Sequence, residues 1–153
     1  MYVISIKMKS FVLIIASLFC LTMTQTFDQK REEIVYKFCE DVWLSQKSDD
    51  QIIQQYLVEN KNKDVSDSKR SSLIKLYLDN LREIKPAGSL SDIKVKPYVQ
   101  ITPIPGLEPG SDSKNIYAIT AHNKVLFYTL FESDRIAAFT MITKGGKSYF
   151  LKF

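Results

Sequence analysis

Gly145-Gly146-Lys147-Ser148 has the ending of a phosphate-binding loop and is the stretch closest to a chemical motif in this chain. The full loop, G-x-x-x-x-G-K-[ST], needs a glycine where Met141 stands. It must also lead from a strand into a helix whose N-terminus faces the phosphate. Strand-like residues lie on both sides here, so the four residues read as a hairpin turn. His122 is the single histidine, which excludes a multi-histidine metal site. A Cys39–His122 nucleophile and base pair would need the fold to bring two distant residues together. Cys39 falls on an apolar helical face, where free cysteine acts as a small hydrophobe, and His122 falls in a turn. Glu32-Glu33 and Asp49-Asp50 stand in the first turns of expected helices, where carboxylates meet the positive end of the helix dipole. Glu108 and Asp112 lack the oxygen spacing of a calcium loop. These residues nominate no catalytic group, no metal and no cofactor.

The aromatic set is richer. Trp43, Tyr128 and Phe139 are the candidate ligand-binding residues, because apolar rings with polar tips make common walls for a small-molecule cavity. The same residues make an equally good core.

The elements that must position them change period halfway along the chain. Val35, Phe38, Cys39 and Val42 recur at i, i+3, i+4, i+7, and Thr26-Phe27-Asp28-Gln29 has the form of a capping box, so a first helix is expected to about Ser45. Ser48-Asp49-Asp50-Gln51 is a second box, opening a short helix that buries Ile52, Ile53, Tyr56 and Leu57. After the polar connector 59–64, a third helix starts at Ser66 or Asp67 with Leu73, Leu76, Tyr77, Leu81 and Ile84 inward. Pro86 and Gly88 stop it.

Residues 93–102 alternate roughly, and Pro97 marks them as an edge strand. A loop with three prolines and two glycines, Pro103 to Ser113, leads to four strands at 115–121, 125–131, 136–143 and 148–153. His122-Asn123, Ser133-Asp134 and Gly145-Gly146 suit tight turns, and short turns make an antiparallel meander. The fold class expected is α+β: N-terminal helices packed on a curved antiparallel meander of four to five strands. The middle strands are apolar on both faces. Leu126, Tyr128, Leu130, Phe139 and Met141 should share one face, and Val125, Phe127, Phe131, Ile136 and Ile142 the other. One helical layer covers one face, so either the sheet curls around a pocket or its outer face pairs with a second copy.

At the N-terminus, Lys7 and Lys9 precede Phe11 to Leu21 (FVLIIASLFCL), an uncharged apolar run of signal-peptide length and too short to span a bilayer. Cleavage is expected after Thr24, giving a leader over 1–24 and one α+β domain over 25–153. Cys20 raises a lipoprotein alternative, but Phe19 occupies a lipobox position that wants a small residue; a retained anchor is the other alternative. Losing Lys7 and Lys9 takes the formal net charge from +4 to +2, which argues against nucleic acid as a partner. Cys39 is then the one cysteine left, so the fold rests on its core and not on disulfides.

Helices first, then a curled antiparallel sheet, resembles the NTF2-like (cystatin-like) α+β cone. The likeness lies in the amphipathic first helix with Phe38 and Trp43, the short capped second helix, and the closing strands around Gly145-Gly146-Lys147-Ser148-Tyr149-Phe150-Leu151. That family usually inserts a hairpin before its third helix, and residues 59–64 offer none; its enzymes carry an Asp-His pair that has no residue-by-residue match here. The resemblance implies a pocket or a sheet-mediated homodimer and no particular reaction. The expectation is a secreted or periplasmic, non-catalytic binding module for a small apolar ligand or a protein partner, with no membrane span after cleavage. The alternatives are an inhibitor or immunity-type protein using the Pro103–Ser113 loop, and a small hydrolase or isomerase using His122 with an unidentified carboxylate.

Overall fold

The computed structural model describes residues 28–58, 66–108 and 110–153. The expected leader over 1–24 with its cleavage point, Cys20, the Thr26 cap and the 59–64 connector lie outside these residues. The chain divides between Glu33 and Ile34. Of the first unit, residues 28–33 are described and are helical. The described residues of the second unit, 34–153, are α+β: three α-helices, a four-stranded antiparallel sheet and a separate two-stranded one, with short 3-10 turns between them. No described helix is long and apolar enough to cross a membrane.

Helix α1 here denotes residues 34–43, and its inward stripe is the one the 3.6-residue period demands: Val35, Phe38, Cys39 and Val42, followed by Trp43, are all buried. Helix α2 (Asp49–Tyr56) opens on a complete capping box, with Ser48 Oγ accepting from the Gln51 N–H and Gln51 Oε1 accepting from the Ser48 N–H. Ile52, Tyr56 and Leu57 are buried, and Ile53 is half-buried. Helix α3 (Asp67–Glu83) departs from expectation. Leu73, Leu76 and Ile84, expected inward, are 42%, 56% and 40% exposed, while Ile74, Leu78 and Leu81 are buried. Two apolar stripes overlap on this helix, and tertiary contacts choose between them. Trp43 Nε1 donates to the Leu81 carbonyl at 2.7 Å, and the Tyr77 ring meets Phe153, which fixes the 74/77/78/81 stripe on the core.

A polar cluster ties α1 to α2. The Asp41 carboxylate accepts from Tyr56 Oη at 2.5 Å and Lys47 Nζ at 2.6 Å. Burial pushes the Asp41 pKa up, but the bonds from Lys47, Tyr56 and Ser45 and the Lys47 charge outweigh it, so the net shift is downward. A carboxylate depressed in the folded state adds stability that is complete above its unfolded pKa and is lost as pH falls through the folded value. Thermal unfolding should therefore show wild-type protein losing stability below about pH 4, and an Asp41→Asn variant losing less over the same range. Equal acid slopes for the two would refute this role for Asp41.

Strands β1 (Ile93–Pro97), β2 (Ile116–Ala121), β3 (Lys124–Glu132) and β4 (Arg135–Ala138) form an antiparallel meander in the order β1-β2-β3-β4. β5 (Met141–Lys144) and β6 (Lys147–Phe150) form the second sheet. The turns carry the expected left-handed residues: His122, Asn123, Ser133, Gly145 and Gly146 all have positive φ. β1 is an edge strand, ending at Pro97 and bearing Lys94 and Lys96, which disfavours edge-to-edge association. The outer edge of β4 is occupied: the Val58 N–H donates to the Ile136 carbonyl and the Phe153 N–H to Ala137.

The single strand expected at 136–143 is two strands in two sheets, and 148–153 is strand only to Phe150. Phe139 turns into the core, 5.5 Å from Phe38 and 4.7 Å from Phe153 between ring centroids, and this interrupts the strand. Bulges also break the simple alternation. Ile119 pairs with Phe127 but Thr120 with Val125, leaving Leu126 as the extra residue, and it packs on the helix-side core beside Phe127. Ala137 is the extra residue between β3 and β4. The helix side of the sheet thus holds Tyr117, Ile119, Phe127, Phe131 and Ile136 together with Leu126 and Phe139, which were expected on the other face, while Val125 and Ile142, expected with Phe127, Phe131 and Ile136, are exposed. The outer side holds Ile116, Leu130 and Ala138. The chain's own Tyr98, Leu107 and Phe150 pack over it.

Candidate functional site

The loop after β1 folds back across the outer face and is fastened there by backbone and hydroxyl bonds. The Ile104 N–H donates to Tyr98 Oη at 3.3 Å, and the Leu107 N–H closes a turn on the Ile104 carbonyl. Gly106 makes the close approach, with φ +73°; a Cβ there would lie 2.2 Å from the Gly146 carbonyl oxygen. Its carbonyl accepts from the Ser148 N–H at 2.9 Å, and Ser148 Oγ donates to the Pro105 carbonyl at 2.9 Å. The hydroxyl that suggested a phosphate-binding motif is therefore a clasp, and the glycine pair ahead of it is the β5–β6 turn.

Between loop, hairpin and sheet lies an open cavity of about 310 Å³. Ile116 and Leu130, both nearly inaccessible, line its floor, with Leu107 and Phe150 as apolar walls. Glu108, Asp112, Lys147 and Lys152 supply charges around it, and Lys147 Nζ stands 3.7 Å from Glu108 Oε1. Both partners of that pair are mostly exposed, so it is weak and easily opened. Apolar floor and mixed-charge rim together suit a small molecule with an apolar body and a polar or zwitterionic end. Sequence reasoning recognised the loop and the two-faced strands. The cavity they enclose required the Gly106–Ser148 clasp, which joins residues forty-two positions apart.

Trp43, Tyr128 and Phe139 are not brought together at this cavity, nor do they line the polar cleft or the arginine-lined cavity described below. Trp43 is buried, its ring edge-on to Phe127 at 6.2 Å, and Phe139 lies between Phe38 and Phe153. Tyr128 is half-buried on β3 opposite Ala118, and burial, with Tyr98 nearby, raises its pKa. Two of the three aromatics are thus core residues, which ring type alone does not reveal.

His122 lines a polar cleft of about 250 Å³ with Ser91, Asp92, Lys94, Thr120 and Asn123. Its Nε2 is 4.0 Å from Asp92 Oδ2, beyond direct hydrogen-bond reach, and the two side chains are 63% and 41% exposed. Asp92 is the nearby carboxylate that sequence reasoning did not identify. Cys39 is sealed in the core, and burial pushes its thiol far above the usual range, leaving it in the unreactive protonated form. Among the described residues no group of three His, Cys, Asp or Glu side chains is placed to hold a metal ion. The chain matches no family model, no curated protein and no solved structure.

Proposed function

We propose that this chain is an exported binding module that holds a small, largely apolar molecule between the outer face of its sheet and the 103–113 loop. The observation carrying this reading is the cavity floored by Ile116 and Leu130 and fastened by the Gly106–Ser148 clasp. Walls held by the clasp's hydrogen bonds around an apolar floor reduce the ordering cost of binding. The export half rests on the leader-like residues 11–21 after Lys7 and Lys9. Helices ahead of an antiparallel sheet also support kinship with the cystatin-like cone, a fold that implies a pocket and no fixed chemistry. A second reading, a small hydrolase or isomerase, draws on the His122–Asp92 juxtaposition.

Titration with the apolar dye 1-anilinonaphthalene-8-sulfonate tests these readings. Binding should saturate, shift the amide resonances of Leu107, Ile116, Leu130 and Phe150, and weaken about tenfold or more in Leu107→Asp, which puts a charge on an apolar wall. His122→Ala should leave binding and fold unchanged, because an exposed turn residue has little packing to lose. Dye binding indifferent to Leu107→Asp refutes the cavity reading; an activity abolished by His122→Ala would establish the second. For export, N-terminal sequencing of protein expressed with its own leader should begin near Gln25, and an intact Met1 or Met8 on cytoplasmic protein would refute that half.

A further inference from the structure

α2, α3 and β4 border a separate cavity of about 300 Å³, lined by Ile53, Leu57, Arg70 and Arg135 among others. Arg135 caps the carboxyl end of α2, where unpaired carbonyls and the negative end of the dipole attract cations, and Arg70 holds the chain just beyond it. Arg135 Nη1 donates to the carbonyls of Gln54 and Leu57 at 2.8 and 2.9 Å, and Arg70 Nη2 donates to that of Val58 at 2.5 Å. Capping thus uses one nitrogen of each guanidinium, and each guanidinium carries five N–H donors. Arg70 Nε is buried with no hydrogen-bond partner, and neither arginine forms an ion pair with a described carboxylate. Burial lowers the Arg70 pKa, with the charge of Asp67 acting in the opposite direction.

We propose that this cavity is a binding site for the carboxylate of a small acid, whose oxygens accept from Arg70 and Arg135 while its hydrocarbon part lies on Ile53 and Leu57. A planar guanidinium matches a carboxylate through two parallel N–H···O bonds, and the capping bonds leave further N–H donors on both arginines for the ligand's oxygens. Charge selects the class. Among the described lining residues, two arginines and Asp67 leave one net positive charge, which a carboxylate balances and a phosphate dianion exceeds. The site is separate from the outer cavity and does not depend on the function assigned there.

The test uses the full-chain protein with sodium butyrate, inorganic phosphate and 1-butanol as probes at matched ionic strength. Butyrate should raise the melting temperature and shift the Arg70 Nε–H resonance, while 1-butanol and phosphate leave that resonance in place. Arg70→Lys keeps the positive charge but loses the planar fork, so butyrate affinity should fall roughly tenfold. Arg135→Lys serves as the second variant where Arg70→Lys does not fold, with the same expected loss. Butyrate that leaves the Arg70 resonance unmoved, phosphate that binds as well as butyrate, or full affinity in a folded lysine variant would each overturn the proposal.

Discussion

Replacing Phe38 with alanine should cost about 3–5 kcal/mol of unfolding free energy, as truncating a fully buried phenylalanine does when neighbours cannot close the gap. Phe38 is inaccessible to solvent, and its ring meets Tyr56 edge-on at 5.6 Å and Phe139 at 5.5 Å. Those two partners come from α2 and from the residue following β4, so the substitution loosens three elements at once. Total stability for a domain of this size is about 5–15 kcal/mol, so the loss consumes a large share of it. Urea unfolding should show a lower midpoint with an unchanged slope. Leu44→Ala, at the end of the same helix and 55% exposed, should cost no more than about 0.5 kcal/mol. Equal losses in the two variants would mean that α1 presents a different face to the core.

The contrast between those two sites was legible in the sequence because α1 has one apolar stripe, and a single stripe admits one orientation. Likewise Ser48 and Gln51 announced α2, since a capping box is satisfied by residues three apart with no help from the rest of the chain. α3 was ambiguous for the opposite reason. Leu73, Ile74, Leu76, Tyr77, Leu78, Leu81 and Ile84 offer two overlapping stripes, and the Trp43 bond to Leu81 decides between them from a distant helix. In the sheet, turn residues marked the hairpins, but the strand parity was hidden. A one-residue bulge reverses which face each later side chain takes, and neither Leu126 nor Ala137 is a glycine or proline that would signal one. The break after Ala138 is equally silent: the Phe139 ring packs against Phe38 and Phe153 from distant parts of the chain.

The candidate cavity shows the same division. Of the large residues expected on the second face of the strands, Leu130 lies on its floor, while Ile116 beside it belonged to neither expected set. What covers it depends on a clasp, and a clasp is a contact between distant residues. Ser148 drew notice for a phosphate-binding role that its neighbours do not support. Its hydroxyl and N–H instead meet carbonyls at Pro105 and Gly106. Arg70 and Arg135, sixty-five positions apart, were invisible as a pair because only the fold sets both on the end of α2.

Gly106→Ala should open that clasp and abolish dye binding at the outer cavity, at a cost of about 2–4 kcal/mol from left-handed backbone strain and the displaced contact together. At Gly106 φ is +73°, and the new Cβ would come 2.2 Å from the Gly146 carbonyl oxygen and 3.1 Å from the Lys147 Cα. Both are backbone atoms of the hairpin, so no side chain can swing aside to relieve the overlap. The loop must move, and with it go the bonds from Ser148 to the Gly106 and Pro105 carbonyls. Leu107, a wall of the cavity, follows its neighbour outward. Gly145 is the control: its φ is +60°, but a Cβ there meets nothing within 4 Å, so Gly145→Ala should carry only the strain of about 1–2 kcal/mol. Amide spectra should then show Gly106→Ala perturbing residues 104–108 and 147–150 together, while Gly145→Ala perturbs the hairpin tip alone and binds dye normally. Matching spectra and affinities for the two variants would show that loop and hairpin are not clasped, and the cavity between them would lose its physical basis.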